Sequence, residues 1–473
     1  MGDAHKQLPL DGNCVVVGLG STGLSTLAYL QRQGISAVAY DQNQLDRESD
    51  WCEQIGQRIA LEDCHFADEG KWVLAEADCI FLSPGIAPDA EWLRDSLRAG
   101  CVISGDLDLF ASAVDQQNAE VIAITGSNAK STVTTLVASM IEAQGRRVAV
   151  GGNLGTPMLD LLDSEVEVYV LELSSFQLER SEGLQGHTGC ILNISPDHLD
   201  RHGTMQVYQQ QKQKIYKAAS RQVYFSDDLL TRPESGVLVD SAVRFGSSEQ
   251  DDFRLLAGTG GYVAFAGAEE LFDDSAVTIK GSHNLMNLVA ACAISAGHAS
   301  TSAMRQICQS FSGLPHRSEF VGELNGINFI NDSKATNVGA AMAALKGVSG
   351  HGQGRVYLIA GGVGKGADFS ELVEACRDVG CCLMLLGEAA SEIAAAAGVA
   401  VDTLFVSDLD DALALAYSMA SPGDTVLLAP ACASFDMFDS YIARGDAFCK
   451  AFDHLRKAGE STAAIDRQGG ASV

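Results

Sequence analysis

Lys130 and Ser131 are the residues whose types and spacing point most directly to chemistry. They follow a polar turn at 125–128, which itself follows the apolar run 121–124. The backbone N–H groups of such a turn and the N-terminus of a helix both favour an anion. A lysine at the helix start can reach a β- or γ-phosphate, and a serine hydroxyl beside it can ligate Mg²⁺. The segment therefore predicts a nucleotide phosphate site.

A strand and a helix must hold this turn. The apolar run 121–124 predicts a short buried strand. After Lys130, apolar residues recur on one helical face, at Val133, Leu136, Val137, Met140 and Ile141. The general P-loop pattern G-x-x-x-x-G-K-[ST] is not met, because Ile124 and Ala129 stand at its glycine positions. An ordinary strand, turn and helix with a surface lysine is the alternative interpretation.

A second glycine-rich turn lies near the N-terminus. Residues 18–23 read G-x-G-x-x-G between a predicted strand and a predicted helix, and Asp41 ends the next strand. This arrangement is typical of dinucleotide-binding domains, and a turn for close helix–strand packing is the alternative. A new phosphate loop follows instead of an NAD-type substrate domain. We therefore expect a different nucleotide in this domain.

Polar residues follow several predicted strands of the central segment. Asn153, Glu172 and His198 each come after an apolar run, as Lys130 does. Ligands of open parallel sheets bind beyond the carboxyl ends of the strands, so all four side chains are predicted on one rim. Each has a simpler alternative, as a helix cap, a strand-end cap or a turn residue. Glu172 is the best candidate for a Mg²⁺ ligand, since this cation prefers carboxylate oxygen.

Composition restricts the classes of function. A chain of 473 residues predicts two to four domains. A net charge of −29 argues against nucleic acid and anionic membranes as partners. Thirteen cysteines without zinc-site spacing indicate reduced thiols in a cytosol. No apolar run approaches the ~20 residues that span a bilayer. We expect a cytoplasmic monomer that acts on small molecules, with no membrane partner.

Residues 125–132, Thr-Gly-Ser-Asn-Ala-Lys-Ser-Thr, resemble the phosphate loop of the Mur ligases, the ATP-dependent amide-forming enzymes of peptidoglycan precursor synthesis. Three further stretches match motifs of that family, closest to its D-glutamate-adding members, at 171–178, 195–202 and 434–445. Two residues depart from the family pattern. Ala129 stands where glycine is usual, and Tyr441 stands where phenylalanine is common.

The resemblance implies an α/β fold of three domains. The N-terminal Rossmann-like domain, 1–108, would bind the UDP-substrate. A central P-loop ATPase-like domain with a mostly parallel sheet, 109–313, would bind ATP, and a C-terminal Rossmann-like domain, 314–473, would bind the amino acid. The implied reaction activates the carboxylate of UDP-N-acetylmuramoyl-L-alanine as an acyl phosphate. The amine of D-glutamate then attacks it, in a reaction that relies on positioning and charge neutralisation.

The resemblance also implies roles for individual residues. ATP would contact Gly126, Ser127, Asn128, Ala129, Lys130, Ser131, Thr132, Asn284, Asn287, Arg317 and Asp332. The UDP-substrate would contact Gly18, Ser21, Thr22, Asp41, Gly85, Asn153 and Ser174. D-glutamate would contact Lys334, Thr336, Lys365, Ser434 and Tyr441. Two Mg²⁺ ions would be held by Ser131, Glu172, His198 and a carbamylated Lys212, and the catalytic residues would be Lys130, His198 and Lys212.

Three other functions remain open at this level. A folylpolyglutamate synthase-like ligase shares the phosphate loop and adds glutamate, but it would not need the first glycine-rich domain. An NAD-dependent dehydrogenase would use the segment 18–41. A nucleotide-switch binding protein would hydrolyse its nucleotide slowly, without stimulation by a substrate.

Overall fold

The computed structural model describes residues 8–44, 52, 55–56, 59–258, 261–279, 281–349 and 354–469. In this part of the chain the strands form three sheets, of five, nine and six strands. The chain folds into two compact units. Unit 1 contains residues 1–194, 201–273 and 287–308, and unit 2 contains 195–200, 274–286 and 309–473. The first two sheets belong to unit 1, and the domain boundaries at 108 and 313 stay predictions.

The first sheet is entirely parallel, in the order β3-β2-β1-β4-β5. Its strands are β1 (Cys14–Val17), β2 (Ala37–Asp41), β3 (Cys64–Phe66), β4 (Cys79–Leu82) and β5 (Val102–Ser104). The accompanying helices are α1 (Ser21–Arg32), α2 (Ala67–Gly70), α3 (Trp72–Glu76), α4 (Glu91–Arg94) and α5 (Asp106–Val114). The strand order reverses between β1 and β4, which is where open α/β sheets form a ligand crevice.

The second sheet has the order β14-β13-β12-β11-β10-β9-β6-β8-β7. Its strands are β6 (Glu120–Thr125), β7 (Val148–Gly152), β8 (Val168–Glu172), β9 (Thr188–Ile191), β10 (Arg221–Phe225), β11 (Val243–Gly246), β12 (Phe253–Gly258), β13 (Gly261–Ala266) and β14 (Glu269–Asp273). The seven strands from β6 to β12 all pair in parallel with their neighbours among them. Strands β13 and β14 add an antiparallel edge. The carboxyl ends of β6, β7, β8 and β9 therefore share one rim.

The helices around the second sheet are α6 (Lys130–Glu142), α7 (Ser175–Glu179), α8 (Leu199–His202), α9 (Met205–Gln213), α10 (Ser282–Ser295) and α11 (Thr301–Ser310). The predicted apolar face of α6 is confirmed. Its five residues are fully buried: Val133, Leu136, Val137, Met140 and Ile141. Removing this face from water stabilises the helix and fixes its N-terminus beside the end of β6.

The third sheet has the order β15-β16-β20-β17-β18-β19 and lies in unit 2. Its strands are β15 (Glu319–Leu324), β16 (Ile327–Asn331), β17 (Val356–Ala360), β18 (Cys382–Leu385), β19 (Asp402–Phe405) and β20 (Thr425–Leu428). Its helices are α12 (Val338–Ser349), α13 (Ser370–Asp378), α14 (Ala390–Ala397), α15 (Leu409–Met419) and α16 (Tyr441–Gly469). Among the described strands of this sheet only β15 pairs antiparallel, so the ends of β16, β20 and β17 also form a common rim.

Candidate active site

The phosphate loop, defined here as residues 125–131, joins β6 to α6. Ala129 caps α6 in the left-handed conformation, with φ 64° and ψ −1°. The Lys130 side chain folds back over the loop, and its Nζ donates to the carbonyl oxygens of Gly126 at 2.9 Å and Ser127 at 3.0 Å. The predicted strand, turn and helix are therefore present, with the lysine ammonium on the loop backbone at the helix N-terminus.

The carboxylate of Glu172 lies at the centre of the rim. Glu172 ends β8 and is 2% exposed. Ser131 Oγ donates to Glu172 Oε2 at 2.5 Å, and Asn153 Nδ2 donates to Glu172 Oε1 at 2.7 Å. The structure thus brings together Asn153 and Glu172, which were predicted from separate strand ends, and Ser131 of the phosphate loop. A carboxylate and a hydroxyl in contact offer the hard oxygen ligands that Mg²⁺ prefers.

Gly152 explains why Asn153 can approach Glu172 so closely. Its φ is 95°, and a Cβ at this position would lie 2.5 Å from the carbonyl oxygen of Glu172. That carbonyl instead accepts a hydrogen bond from the backbone N–H of Asn153 at 2.8 Å. A larger residue at 152 would therefore separate the ends of β7 and β8.

Lys212 is almost completely buried, at 1% exposure, in the last turn of α9. Its Nζ donates to the carbonyl oxygen of Gly126 at 2.9 Å and to Thr125 Oγ1 at 3.3 Å. The ring of Tyr208, one turn earlier, lies 4.7 Å from this ammonium. The Tyr208 hydroxyl also lies 3.0 Å from Ser127 Oγ. Both side chains of α9 therefore contact the phosphate loop.

Two residues of this region were missed in the sequence analysis. Asn193 Oδ1 accepts a hydrogen bond from Asn128 N at 2.8 Å, and its backbone carbonyl accepts one from Ser127 N at 2.9 Å. Tyr208 is the other, and its position four residues before Lys212 was the available signal. Asn193 follows β9 by two residues, so the strand-end argument could have included it.

We call the crevice at the carboxyl ends of β1 and β4 the switch-point crevice. The residues of the first domain that were predicted to bind the UDP-substrate lie around it. Gly18 has φ 92° and begins the glycine turn, and Ser21 and Thr22 begin α1. Gly85 is exposed in the loop after β4. Asp41 is buried, and its Oδ2 accepts a hydrogen bond from Leu19 N at 2.8 Å. Its carboxylate thus stabilises the glycine turn.

Ser174 begins α7 with a capping box. Its Oγ accepts from Gln177 N at 3.2 Å, and Gln177 Oε1 accepts from Ser174 N at 3.1 Å. This reciprocal pair satisfies two N–H groups at the helix start. Ser174 is only two residues from Glu172, so the end of β8 positions both side chains.

In unit 2, Asp332 follows β16, and one of its carboxylate oxygens accepts a hydrogen bond from Ser318 Oγ at 3.0 Å. Burial raises the pKa of Asp332 to about 6, although this hydrogen bond and the charge of Arg317 oppose the shift. Arg317 and Asp332 were both predicted to contact ATP, and the charge of Arg317 acts to lower the pKa of the Asp332 carboxyl.

His198 belongs to unit 2, together with the rest of the segment 195–200. It has φ 53°, and its backbone N–H donates to Asp197 Oδ1 at 3.0 Å. Asp197 Oδ2 accepts a hydrogen bond from Asn337 Nδ2 at 3.3 Å, within the same unit. The roles of His198, and of Asn284 and Asn287 in the first two turns of α10, stay predictions.

The residues predicted for D-glutamate follow β16, β17 and β20 or begin α16. Lys334 Nζ lies 4.0 Å from the centre of the Tyr441 ring, a cation–π contact. Thr336 N donates to the carbonyl oxygen of Lys334 at 2.7 Å. Val363 and Ala433 exchange two backbone hydrogen bonds, which join the loop of Lys365 to the loop of the buried Ser434. The ends of these three strands lie on one rim, and the contacts of the five residues with a ligand stay predictions.

Three family models match successive parts of the chain. The MurD-like N-terminal domain of the Mur ligases matches residues 12–105. The Mur ligase middle domain matches residues 124–295, and the Mur ligase glutamate ligase domain matches residues 316–432. The chain belongs to the Mur ligase family. The family expected from the motifs is thereby confirmed.

Curated Mur ligases resemble the chain over almost its whole length. The UDP-N-acetylmuramoylalanine–D-glutamate ligase of Legionella pneumophila strain Lens is 41% identical over 440 residues, which cover 92% of this chain and 97% of the relative. The enzyme of the same name from Pseudomonas fluorescens strain Pf0-1 is 42% identical over 455 residues, covering 93% and 98%.

Solved Mur ligase structures share the three-domain fold. The MurC ligase of Thermotoga maritima matches with a TM-score of 0.55 at 17% identity, over 94% of this chain and 100% of that one. The MurF ligase of the same organism, solved with ADP, matches with a TM-score of 0.57 at 16% identity, over 94% and 96%. The expected α/β fold of three domains with mostly parallel sheets is confirmed.

The described residues contain no cluster of three or more His, Cys, Asp or Glu side chains arranged to hold a metal ion. Likewise, no helix in this part of the protein has both the length and the apolar character needed to cross a membrane.

Proposed function

We propose that this Mur ligase is an ATP-dependent acid–amino-acid ligase that joins D-glutamate to UDP-N-acetylmuramoyl-L-alanine, a step of peptidoglycan precursor synthesis. The curated relatives named for this reaction support it, since their similarity extends over more than nine-tenths of the chain. The MurD-like match at 12–105 includes the glycine turn. It therefore favours a UDP-substrate over NAD in the first domain, and it favours this ligase over a folylpolyglutamate synthase-like enzyme.

One structural observation carries the proposal. A buried carboxylate, Glu172, touches the hydroxyl of Ser131 at the N-terminus of α6, whose first residue is Lys130. Phosphoryl transfer requires positioned positive charge, a helix N-terminus and metal-ligating oxygens at one place. This cluster can supply all three, and the same β8 segment continues into Ser174, a predicted UDP-substrate contact.

The donor set fits Mg²⁺, which proteins usually hold with one or two carboxylates together with substrate phosphates. Glu172 and Ser131 would hold this ion, and it would neutralise phosphate charge during transfer. The ammonium of Lys130 would bind the γ-phosphate, and the half-buried Asn128 side of the turn would face the phosphates. In unit 2, ionised Asp332 would accept a hydrogen bond from a ribose hydroxyl.

We further propose a carbamate on Lys212 and a second Mg²⁺ bound through it, with His198 as a metal ligand or an orienting group for the acyl phosphate. Lys212 is buried against the phosphate loop rather than exposed to solvent. This position supports the proposal, because a modified side chain there would place its oxygens beside the phosphates. We also propose that the protein is a cytoplasmic monomer that acts on small molecules alone.

The test of the reaction is phosphate release from ATP in the presence of UDP-N-acetylmuramoyl-L-alanine. Release should depend on D-glutamate and should be much slower with L-glutamate, meso-diaminopimelate or L-alanine. Lys130→Ala should lower kcat by about 10²-fold or more, because it removes a contact to transferring phosphate. Lys217→Ala is the matched control, since Lys217 makes an exposed ion pair with Glu182 at 2.8 Å. Preference for another acceptor would overturn the assignment.

A further inference from the structure

The loop after β4, residues 83–86 and called the β4 loop here, forms one wall of the switch-point crevice. Ser83 donates twice to the end of β1 and the glycine turn, from its N–H to Val17 O at 2.9 Å and from its Oγ to Gly18 O at 2.7 Å. A ligand of an open α/β sheet binds in this crevice, and a nucleoside diphosphate suits a glycine turn at a helix N-terminus. The shape of the β4 loop therefore affects the shape of the nucleotide site.

Arg180, directly after α7, fixes this loop from the neighbouring domain. Its Nη1 donates to Leu82 O at 2.6 Å and its Nη2 donates to Pro84 O at 3.0 Å, while Nε donates to Phe176 O at 2.8 Å. One guanidinium thus holds the two carbonyls on either side of Ser83. The side chain is 7% exposed and packs on Gly105, where a Cβ would lie 2.8 Å from Arg180 Cδ.

A second arginine holds the far end of the loop. Arg201 Nη2 donates to Ile86 O at 3.0 Å and to Glu179 Oε2 at 2.6 Å. Its guanidinium lies 5.2 Å from the centre of the Phe176 ring, in a cation–π contact. Three of the carbonyls at 82–86 therefore accept hydrogen bonds from two arginines, one directly after α7 and one within α8.

Stability alone is a weak explanation for Arg180. Its direct hydrogen-bond acceptors are neutral carbonyls, and burial lowers its pKa to about 10, although nearby Asp106 and Glu179 raise it. The group is therefore a buried cation at neutral pH, and burying a charge costs free energy that a well-packed apolar residue would not. The geometry that Arg180 imposes on the loop explains it better, because the planar guanidinium group fixes two carbonyl acceptors at once.

We propose that Arg180, assisted by Arg201, is a positioning residue for the UDP-substrate: it holds the β4 loop in the shape that the nucleoside diphosphate requires. The proposal rests on the function proposed above. On this proposal, the β8–α7 segment contributes to both the metal site and the nucleotide site. The segment begins with Glu172, the candidate metal ligand, and ends with Arg180, the support of the nucleotide crevice, so both sites depend on the placement of one short helix.

The test is Arg180→Lys, which keeps the charge but cannot hold two carbonyls in one plane. KM for the UDP-substrate should rise about tenfold, and the Kd of UDP alone, measured by calorimetry without ATP, should rise in parallel. KM for ATP and for D-glutamate should stay within about twofold, because their predicted sites do not include this loop. A role in stability only would lower Tm and leave the three KM values unchanged.

Arg221→Lys is the matched control. Arg221 also donates to two backbone carbonyls, of Ala293 at 2.7 Å and Ile294 at 2.8 Å, but at the end of α10. It should lower Tm without a selective effect on the UDP-substrate. If Arg180→Lys does not fold, Arg201→Lys is tested instead, since Arg201 holds the carbonyl of Ile86 in the same loop. It must raise KM for the UDP-substrate and leave KM for ATP and D-glutamate unchanged.

The outcomes separate the two proposals. A wild-type protein without D-glutamate-dependent phosphate release refutes the proposed function, and the inference with it. An active wild-type protein with unchanged UDP-substrate KM in Arg180→Lys refutes the inference alone. Failure of both arginine variants to fold would assign them a structural role and would likewise overturn it.

Discussion

Ala129 adopts a backbone conformation that glycine adopts at lower energetic cost. Its φ is 64° at the start of α6, and a left-handed conformation costs an L-residue roughly 1–2 kcal/mol. Glycine would avoid this cost but would lose more conformational entropy on folding. We expect Ala129→Gly to stabilise the protein by up to about 1 kcal/mol and to raise Tm by a few degrees, with activity retained. Thermal unfolding followed by circular dichroism measures the change.

Ala138→Gly is the control for this prediction. Ala138 is buried within α6, where the backbone is helical, so glycine should destabilise the protein by about 1 kcal/mol or more. Each substitution removes one alanine methyl group, at the N-cap of α6 in Ala129→Gly and within α6 in Ala138→Gly. A fall in Tm of similar size in both variants would show that Ala129 is not strained.

Asp332 is the residue with the clearest predicted dependence on pH. Burial raises its pKa from 3.8 to about 6. Below pH 4 the carboxyl is protonated in both folded and unfolded chains, so it has no effect on the pH dependence of stability. Between about pH 4 and pH 6 the unfolded chain loses the proton first, and the free energy of unfolding falls as pH rises. Above about pH 6 the folded protein carries the full free-energy cost of burying the ionised Asp332 carboxylate.

Asp332→Asn removes this cost and also the charge proposed to bind ribose. We expect a higher Tm than that of the wild type at pH 7.5, a difference that shrinks towards pH 4.5, and a raised KM for ATP at pH 7.5. Wild-type KM for ATP should rise as pH falls through 6, whereas that of the variant should not follow this titration. A Tm difference independent of pH would contradict the assignment of a raised pKa to Asp332.

At the scale of elements, local pattern and strand direction allowed much of the rim to be predicted. The apolar period identified α6, and the rule that parallel strands end at one edge predicted the meeting of Asn153 and Glu172. Contacts between distant segments could not be found in this way. Asn193 reaches the phosphate loop, and Arg180 reaches the β4 loop, through packing that no sequence period encodes.

Helix α9 also shows that contacts between distant segments could not be predicted from the sequence pattern. A polar helix with several lysines predicts a solvated face, yet Lys212 is 1% exposed while Lys217, beyond the helix, is half-exposed. The buried ammonium of Lys212 contacts both the ring of Tyr208 and the loop at 125–126, which belong to separate parts of the sequence. Only the resemblance to the family distinguished it from its neighbours in the sequence.

The proposed carbamate on Lys212 belongs to this helix. Lys212→Ala should be inactive, because it removes an anionic oxygen ligand, and a short-chain carboxylic acid such as acetate should restore part of the activity. Mass spectrometry or a crystal structure of the substrate-bound protein would show the added carboxyl directly. Lys217→Ala should remain active and should not respond to acetate. An unmodified Lys212 in the substrate-bound protein would exclude the proposal.

At the scale of the whole molecule, the charge balance is unusual for a protein proposed to bind two polyanionic substrates. Lys and Arg total 32 against 61 Asp and Glu, so the net charge is −29. Local arrangements must then provide attraction, and the described sites do so with Lys130 at a helix N-terminus, with Lys334 beside Tyr441 and with the oxygens that fit Mg²⁺. Elsewhere the surplus carboxylates repel one another.

This repulsion predicts a salt-dependent stability. A large net charge destabilises a compact chain, because unfolding separates the charges. Raising monovalent salt from about 0.01 M to about 0.15 M shortens the Debye length from about 30 Å to about 8 Å and so weakens the repulsion. We expect Tm of the ligand-free protein to rise by several degrees over this range at pH 7.5, equally with NaCl and KCl. The surface ion pairs, such as Lys217–Glu182, are screened as well, but exposed pairs contribute little. A Tm that stays constant or falls over the same range would contradict this prediction. It would mean that attraction within local ion pairs stabilises the protein at least as much as the repulsion between like charges destabilises it.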